Sequence, residues 1–169
     1  MSGKLIMMVG LPGAGKSTKS SEYAEKGYIV HSPDAIRNEL NLHSNDDTQK
    51  VYDILHERIL ADMDKGKDIV YDSTNLTRRR RLKFLNLIKK YDYEKICHVL
   101  LTSLDLCKER NSQRIGYSKV PDNELSRMSE MFTIPMSDEG WDKIILSIND
   151  SKMEVVWKLY MKDSLYKVH

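Results

Sequence analysis

The apolar run Lys4–Val9 ends at Gly10 and leads into Gly10-Leu11-Pro12-Gly13-Ala14-Gly15-Lys16-Ser17, with Thr18 next. This is G-x-x-x-x-G-K-[ST] in full, and its chemistry dictates the structure around it. Glycines let the chain turn so that successive backbone N–H groups converge on an anion. That turn must hang between a buried strand and a helix N-terminus, whose dipole adds positive potential. The motif therefore predicts a strand over Lys4–Val9 and a helix from Ser17 to about Lys26, closed by Gly27. In that frame residues 10–18 bind a nucleoside triphosphate. Lys16 reaches the β- and γ-phosphates, the Ser17 hydroxyl holds Mg²⁺, and Thr18 helps seat the α-phosphate. The loop does not specify what receives the phosphate.

The rest of the chain supplies the elements such a loop needs. Residues 28–31 read as a second short strand. Ser32-Pro33 then gives an N-cap followed by proline at the first helical position, starting a helix that runs to about Leu40. Val51, Ile54, Leu55 and Ile59 recur at helical spacing, so a longer helix covers roughly residues 46–65. Residues 68–71 form a third strand, and Thr77 caps a helix in which Leu82, Leu85 and Ile88 share a face. Residues 96–101 are a fourth strand, 105–115 a helix, Lys143–Ile148 a fifth strand and 154–166 a final helix. This alternation predicts an α/β fold, a P-loop NTPase-type parallel sheet of about five strands with helices on both faces and a helical lid. No repeat or linker interrupts it, so one domain over residues 1–169 is expected.

Bulk composition narrows the class without naming an acceptor. Lys plus Arg number 27 against 25 Asp plus Glu, a net charge of +2, so any polyanion site has to arise from local clustering. Cys97 and Cys107 are the only cysteines, too few for a disulfide framework or a zinc site. No stretch approaches the ~18 apolar residues of a membrane span, and residues 1–9 are too short for a secretory leader. A soluble, cytoplasmic protein with reduced thiols is expected.

Four segments carry further chemistry. Asp34 follows the second strand, at the edge of the sheet where ligands bind. A carboxylate there suits a general base on an attacking hydroxyl, and Arg37, on the same helical face, suits an anionic part of the acceptor. The same two residues also read as a dipole-favoured acid with its surface partner. Asp72 ends the third strand like a Walker B acid, placed to act on Mg²⁺ with Ser17. Ser73-Thr74-Asn75 follow, either as part of the site or as an ordinary turn. Residues 78–81 are four arginines at a helix start, where cations gain nothing from the dipole. A solvated charge run is the first reading, and a nucleic-acid backbone held by one or two of them is the second. Arg110 and Arg114 stand one helical turn apart and repel unless an anion lies beside them, which ATP phosphates would supply. Residues 115–121 then read as a mobile loop closing over the nucleotide.

Together these segments resemble the polynucleotide 5′-kinase family, specifically the kinase domain of the phage enzyme. The resemblance rests on residues 10–18, Asp34 with Arg37, and Ser73-Thr74-Asn75-Leu76 followed by arginines. It rests most on Arg110-Asn111-Ser112-Gln113-Arg114, leading to Lys119-Val120-Pro121 and Leu125-Ser126-Arg127-Met128. It implies a cytoplasmic, phage-type nucleic-acid repair kinase using ATP and Mg²⁺ on the 5′ end of a polynucleotide. Lys16, Asp34 and Arg114 would be catalytic, with Asp34 the base and Arg114 the lid arginine. Arg110 would bind ATP, and Arg37, Ser73, Asn75 and Arg78 the acceptor. A small-metabolite or nucleoside kinase, and a nucleotide-binding ATPase without an acceptor, are the other readings. One departure stands out. The phage enzyme has an acid directly before Thr-Asn, where this chain has Ser73, with the acid one residue earlier at Asp72. A shift of one along a strand reverses the face, so Asp72 is not expected to inherit the acceptor-side role. No second, phosphatase domain is expected either.

Overall fold

The computed structural model describes residues 3–43, 46–148 and 166–168. Among the described residues six strands form one sheet: β1 (Lys4–Val9), β2 (Ile29–His31), β3 (Ile69–Tyr71), β4 (Glu94–Leu101), β5 (Lys143–Ile148) and β6 (Tyr166–Val168). Their order is β2-β3-β1-β4-β5-β6, and every neighbouring pair is parallel. Parallel sheets are covered on both faces, which is why β1 reads as a continuous apolar run. Its side chains alternate between two cores. Leu5, Met7 and Val9 point to one, with Val51, Leu55, Ile59, Phe84 and Ile88. Ile6 and Met8 point to the other, with Leu11, Ala14, Cys107 and Leu125.

The helices are α1 (Lys16–Glu25), α2 (Pro33–Leu40), α3 (Thr48–Met63), α4 (Arg78–Leu87), α5 (Leu104–Ser112) and α6 (Asp122–Met131). Local chemistry starts several of them. Ser32 Oγ accepts from Ala35 N at 3.1 Å, with Pro33 in the first turn, and Thr77 Oγ1 accepts from Arg80 N at 3.3 Å. The strand order sets β2, β3 and β1 side by side. The segments leaving their C-terminal ends, at Ser32, Asp72 and Gly10, therefore open on one edge, where open α/β sheets bind ligands.

The parallel sheet of about five strands read from sequence stands, with a sixth, β6, beside β5. Other expectations need correction. The helix expected over 154–166 lies outside the described residues except for Tyr166, which begins that strand. Helix α6 went unread, and α5 stops at Ser112 rather than reaching residue 115. In the segment expected to be a mobile loop, Gly116–Ser118 form a 3₁₀ turn. Buried Asn111 clamps that segment by donating to Val120 O at 2.6 Å and accepting from Val120 N at 3.0 Å. The arginine run is not simply solvated, since Arg81 is wholly buried. Among the described residues no helix is long and apolar enough to cross a membrane.

Candidate active site

The phosphate loop is built by close packing as well as by turn geometry. Gly13 has φ +83°, and a Cβ there would lie 2.7 Å from the Cys107 carbonyl oxygen. Only glycine tolerates both the conformation and the approach. Thr102 Oγ1 donates to Ala14 O at 3.0 Å, Gly10 N donates to Thr74 O at 3.1 Å, and Arg110 Nη1 donates to Gly13 O at 3.3 Å. The loop is thus braced from the residue after β4, from the segment after β3 and from α5.

In front of it lies a cleft of about 580 Å³, within the range that holds small ligands. Pro12, Lys16 and Ser17 form its floor, and Ser32, Pro33, Asp34 and Arg37 come from the start of α2. Thr48 and Tyr52 come from α3, and Asp72, Ser73 and Thr74 from beyond β3. Arg80 of α4 lines it too, and Arg114, Glu124, Arg127, Met128 and Met131 come from the α5–α6 lid. Five cations thus face three carboxylates, Asp34, Asp72 and Glu124. That local excess equals the +2 of the entire chain, so the modest net charge conceals an anion-attracting cleft.

Lys16 donates to Gly10 O at 3.0 Å and to Leu11 O at 2.8 Å. Burial pulls its ammonium pKa down to about 8, against the opposing attraction of Asp72. Arg114 lowers it further, and Asp34 raises it. Burial pushes the Asp72 carboxyl upward, while Lys16 and Arg114 draw it back down and Asp34 adds to the rise. These four groups sense one another, so Lys16, Asp34, Asp72 and Arg114 form one electrostatic unit. Arg114 also donates to Ser118 O at 3.3 Å, holding the lid turn.

Arg37 differs from a surface arginine. Its side chain is only 11% exposed, and Nη1 stands 3.6 Å from Asp34 Oδ1, whose own side chain is 68% exposed. Its Nε is buried without a hydrogen-bond partner. A cation withdrawn from water and met only by a long contact to an exposed acid is poorly compensated. An anion entering the cleft would supply the missing acceptor.

The remaining residues divide. Ser73 is buried, lines the cleft, and its hydroxyl shares a 2.8 Å hydrogen bond with the Tyr52 hydroxyl. Asp72 and Ser73 both reach the cleft, although strand alternation puts neighbours on opposite faces. The strand ends at Tyr71, and the alternation ends with it. Asn75 does not line the cleft: with φ 45° it turns its amide inward, donating to Met8 O at 2.9 Å. Arg78 does not line it either, being held by Asp138 through Nη1 at 2.7 Å and Nη2 at 3.1 Å. Arg110 braces the outer side of the phosphate loop and is likewise absent from the cleft wall. Sequence reasoning missed Thr48, Tyr52, Arg80 and Glu124. Arg80 stood in view within the arginine run, whereas Tyr52 gave no signal beyond a place on α3.

Among the described residues no three of His, Cys, Asp or Glu cluster as a metal site. That is compatible with Mg²⁺, which keeps its waters and takes one or two protein oxygens beside substrate phosphates. Ser17 and Asp72 both line the cleft and supply a hydroxyl and a carboxylate, hard oxygen donors of the right kind.

Comparison with known proteins bears on the fold and the family. The chain is 30% identical over 175 residues to a protein assigned as a bifunctional polynucleotide phosphatase/kinase in Acanthamoeba polyphaga mimivirus, covering 97% of this chain and 39% of that protein. It is 26% identical over 144 residues to the L-seryl-tRNA(Sec) kinase of Methanococcus maripaludis, covering 82% of this chain and 56% of that one. The chain thus spans less than two thirds of the length of either relative. A crystal structure assigned as a kinase from Chloroflexus aurantiacus superposes with a TM-score of 0.70 at 16% identity, over 96% of this chain and 98% of that one. The resemblance to polynucleotide kinases read from the motifs thus recurs in a whole-chain match. Residues 5–135, which hold the phosphate loop, the α2 acid–arginine pair and the lid, match the AAA domain model, and the chain belongs to that family as a P-loop kinase domain.

Proposed function

We propose that this domain transfers the γ-phosphoryl group of ATP to the 5′-hydroxyl of DNA or RNA. The observation that carries the reading is Arg37, a nearly buried guanidinium whose Nε has no partner, set beside Asp34 in the cleft that holds Lys16 and Ser17. A hydroxyl acceptor next to a phosphate fits that pair. The phosphate satisfies Arg37, and the hydroxyl comes within reach of the Asp34 carboxylate. Both relatives have names that place their acceptor on a nucleic acid, which supports a polynucleotide over a small metabolite.

In the reaction, the acceptor oxygen bonds to the γ-phosphorus as the bond from the β,γ-bridging oxygen to that phosphorus breaks. Asp34 takes the hydroxyl proton, and ADP leaves. Lys16 neutralises the phosphates within a region already sheltered from water. Arg114, from the lid, adds charge where it accumulates on the transferring group. Arg110 acts behind the loop, fixing the Gly13 carbonyl so that the backbone N–H groups stay aligned. Ser17 and Asp72 would hold Mg²⁺, which when bound spreads the phosphate charge. Ser73, tied to Tyr52, shapes the acceptor wall.

The test is to incubate the protein with γ-labelled ATP and Mg²⁺, offering 5′-hydroxyl oligonucleotides, nucleosides or water alone. Label on the oligonucleotide 5′ end is the expected result. Label on nucleosides but not on oligonucleotides would establish the small-acceptor reading instead, and phosphate release alone would establish an ATPase.

A further inference from the structure

Four arginines open α4, and each needs a reason, because a cation in a first helical turn opposes the helix dipole. Two have one. Arg78 is held by Asp138, and Arg81 lies buried against Glu139. Arg79 is exposed and stands outside the cleft. Arg80 is exposed, lines the cleft, and its guanidinium has no hydrogen bond or ion pair among the described residues. Its backbone N–H is held by Thr77, which lines the cleft with it at the end of the segment that carries Asp72 and Ser73, and its charge is felt at Tyr71, where that segment begins. The carboxylates of the cleft are engaged elsewhere. Glu124 is paired with Arg127, Asp34 lies beside Arg37, and Asp72 is coupled to Lys16.

The cleft therefore presents two guanidinium groups from different helices, Arg37, which meets Asp34 only at 3.6 Å and leaves its Nε without a hydrogen bond, and Arg80, which no acid meets among the described residues. One phosphate beside the reacting hydroxyl accounts for Arg37. It leaves Arg80 as an unexplained cation, and an acceptor with a single phosphate has nothing further to offer. A nucleic-acid strand carries a phosphate at every nucleotide. The cleft lining is apolar at Leu76, Met128 and Met131, side chains suited to the faces of bases rather than to a polyhydroxylated metabolite. We propose that Arg80 grips a second acceptor phosphate, so that the cleft selects a polynucleotide end over a mononucleotide; this rests on the 5′-hydroxyl kinase reading above.

The test compares a nucleoside 3′-monophosphate with a short 5′-hydroxyl oligonucleotide, using wild-type protein, Arg80→Gln and Arg79→Gln. Wild type should favour the oligonucleotide in kcat/KM. In Arg80→Gln the oligonucleotide KM should rise about ten- to hundredfold, the range for one lost charge-assisted hydrogen bond, and the preference should collapse towards parity. The slope of log affinity against log salt should flatten by about 0.7, the single-strand value for one phosphate contact. Arg79→Gln, which loses the same charge outside the cleft, should keep the wild-type KM and slope. Equal wild-type kcat/KM on the two acceptors would overturn this proposal while leaving the kinase reading intact. So would an equal effect of the two substitutions, or an Arg80→Gln defect of the same size on both acceptors. Failure of the wild-type protein to phosphorylate either acceptor would instead overturn the reading on which the proposal rests.

Discussion

Replacing Arg81 should unsettle the domain more than any exposed arginine would, and the structure gives the scale. Its side chain and that of Glu139 are both 0% exposed. Nε and Nη2 donate to the two Glu139 oxygens at 2.8 Å each, and Nη1 donates to Asn75 O and Leu76 O at 3.0 Å. In Arg81→Leu the carboxylate stays buried with only Trp141 Nε1 at 3.0 Å, Met136 N at 3.3 Å and the more distant Arg78 Nη1 at 3.7 Å. Removing one partner of a buried pair costs about 3–5 kcal/mol. At about 2–4 °C per kcal/mol for a chain of this size, the melting temperature should fall by about 6–20 °C. Adding Glu139→Met should restore part of that loss, because the stranded charge is gone. Leu76 O keeps Thr133 N at 2.9 Å and Thr133 Oγ1 at 3.2 Å, so Asn75 O is the main group left without a donor, at about 1–3 kcal/mol. Thermal and urea unfolding of both singles and the double close the cycle. Asn75 also holds the Met8 carbonyl, and Thr74 O accepts from Gly10 N, so Arg81→Leu should raise the KM for ATP as well. A melting shift below about 2 °C, or a double variant less stable than either single, would refute this account of the pair.

Other perturbations separate the parts of the site. Asp34→Ala should keep ATP binding, measured by calorimetry, while transfer falls by a factor of about 10²–10⁴, as for loss of a general base; wild-type turnover would remove Asp34 from the mechanism. Arg114→Ala should lower kcat, and a change confined to acceptor KM would contradict its place at the transferring group. Gly13→Ala should abolish measurable ATP binding, since positive φ and the 2.7 Å approach to Cys107 O both exclude a Cβ; near-normal affinity would show that the loop relaxes freely. Lys16, lowered to about 8 by burial, should regain a full proton when phosphates arrive. ATP binding should then take up about 0.5 proton at pH 8 and about 0.9 at pH 9, read by calorimetry in buffers of different ionisation enthalpy. For the free protein the unfolded lysine binds the extra proton, so Lys16 contributes stability that rises with pH above about 8, whereas Cys97 and Tyr71, pushed upward by burial, contribute stability that falls as pH rises. The Lys16 contribution is therefore read as the difference between wild type and Lys16→Met, and a difference that does not change between about pH 8 and 9 would contradict the burial of that ammonium.

How much of this was legible in the sequence follows from how far apart the interacting groups lie. The Ser32 and Thr77 caps and the Asp34–Arg37 turn depend on neighbours within a few residues, and the phosphate loop, though braced from Thr74, Thr102 and Arg110, announces itself within nine consecutive residues. Helix α6 was legible as well, since Leu125, Met128 and Phe132 recur at i, i+3 and i+7 and pack on one core, although Leu125 alone is fully buried. The Asp72/Ser73 displacement misled, because alternation holds only inside a strand and β3 stops at Tyr71. The arginine run shows both sides. At about 100° per residue, Arg78 and Arg81 project roughly to one side of α4, with Arg80 turned well away from Arg78. That division was readable from spacing alone. Which side faces inward was not, because it depends on Asp138 and Glu139, some sixty residues along the chain, folding back onto the first turn of α4. Once those acids take Arg78 and Arg81, the helix geometry leaves Arg80 to the cleft. The residue first read as a nucleic-acid contact and the one better placed to make it therefore differ by two positions.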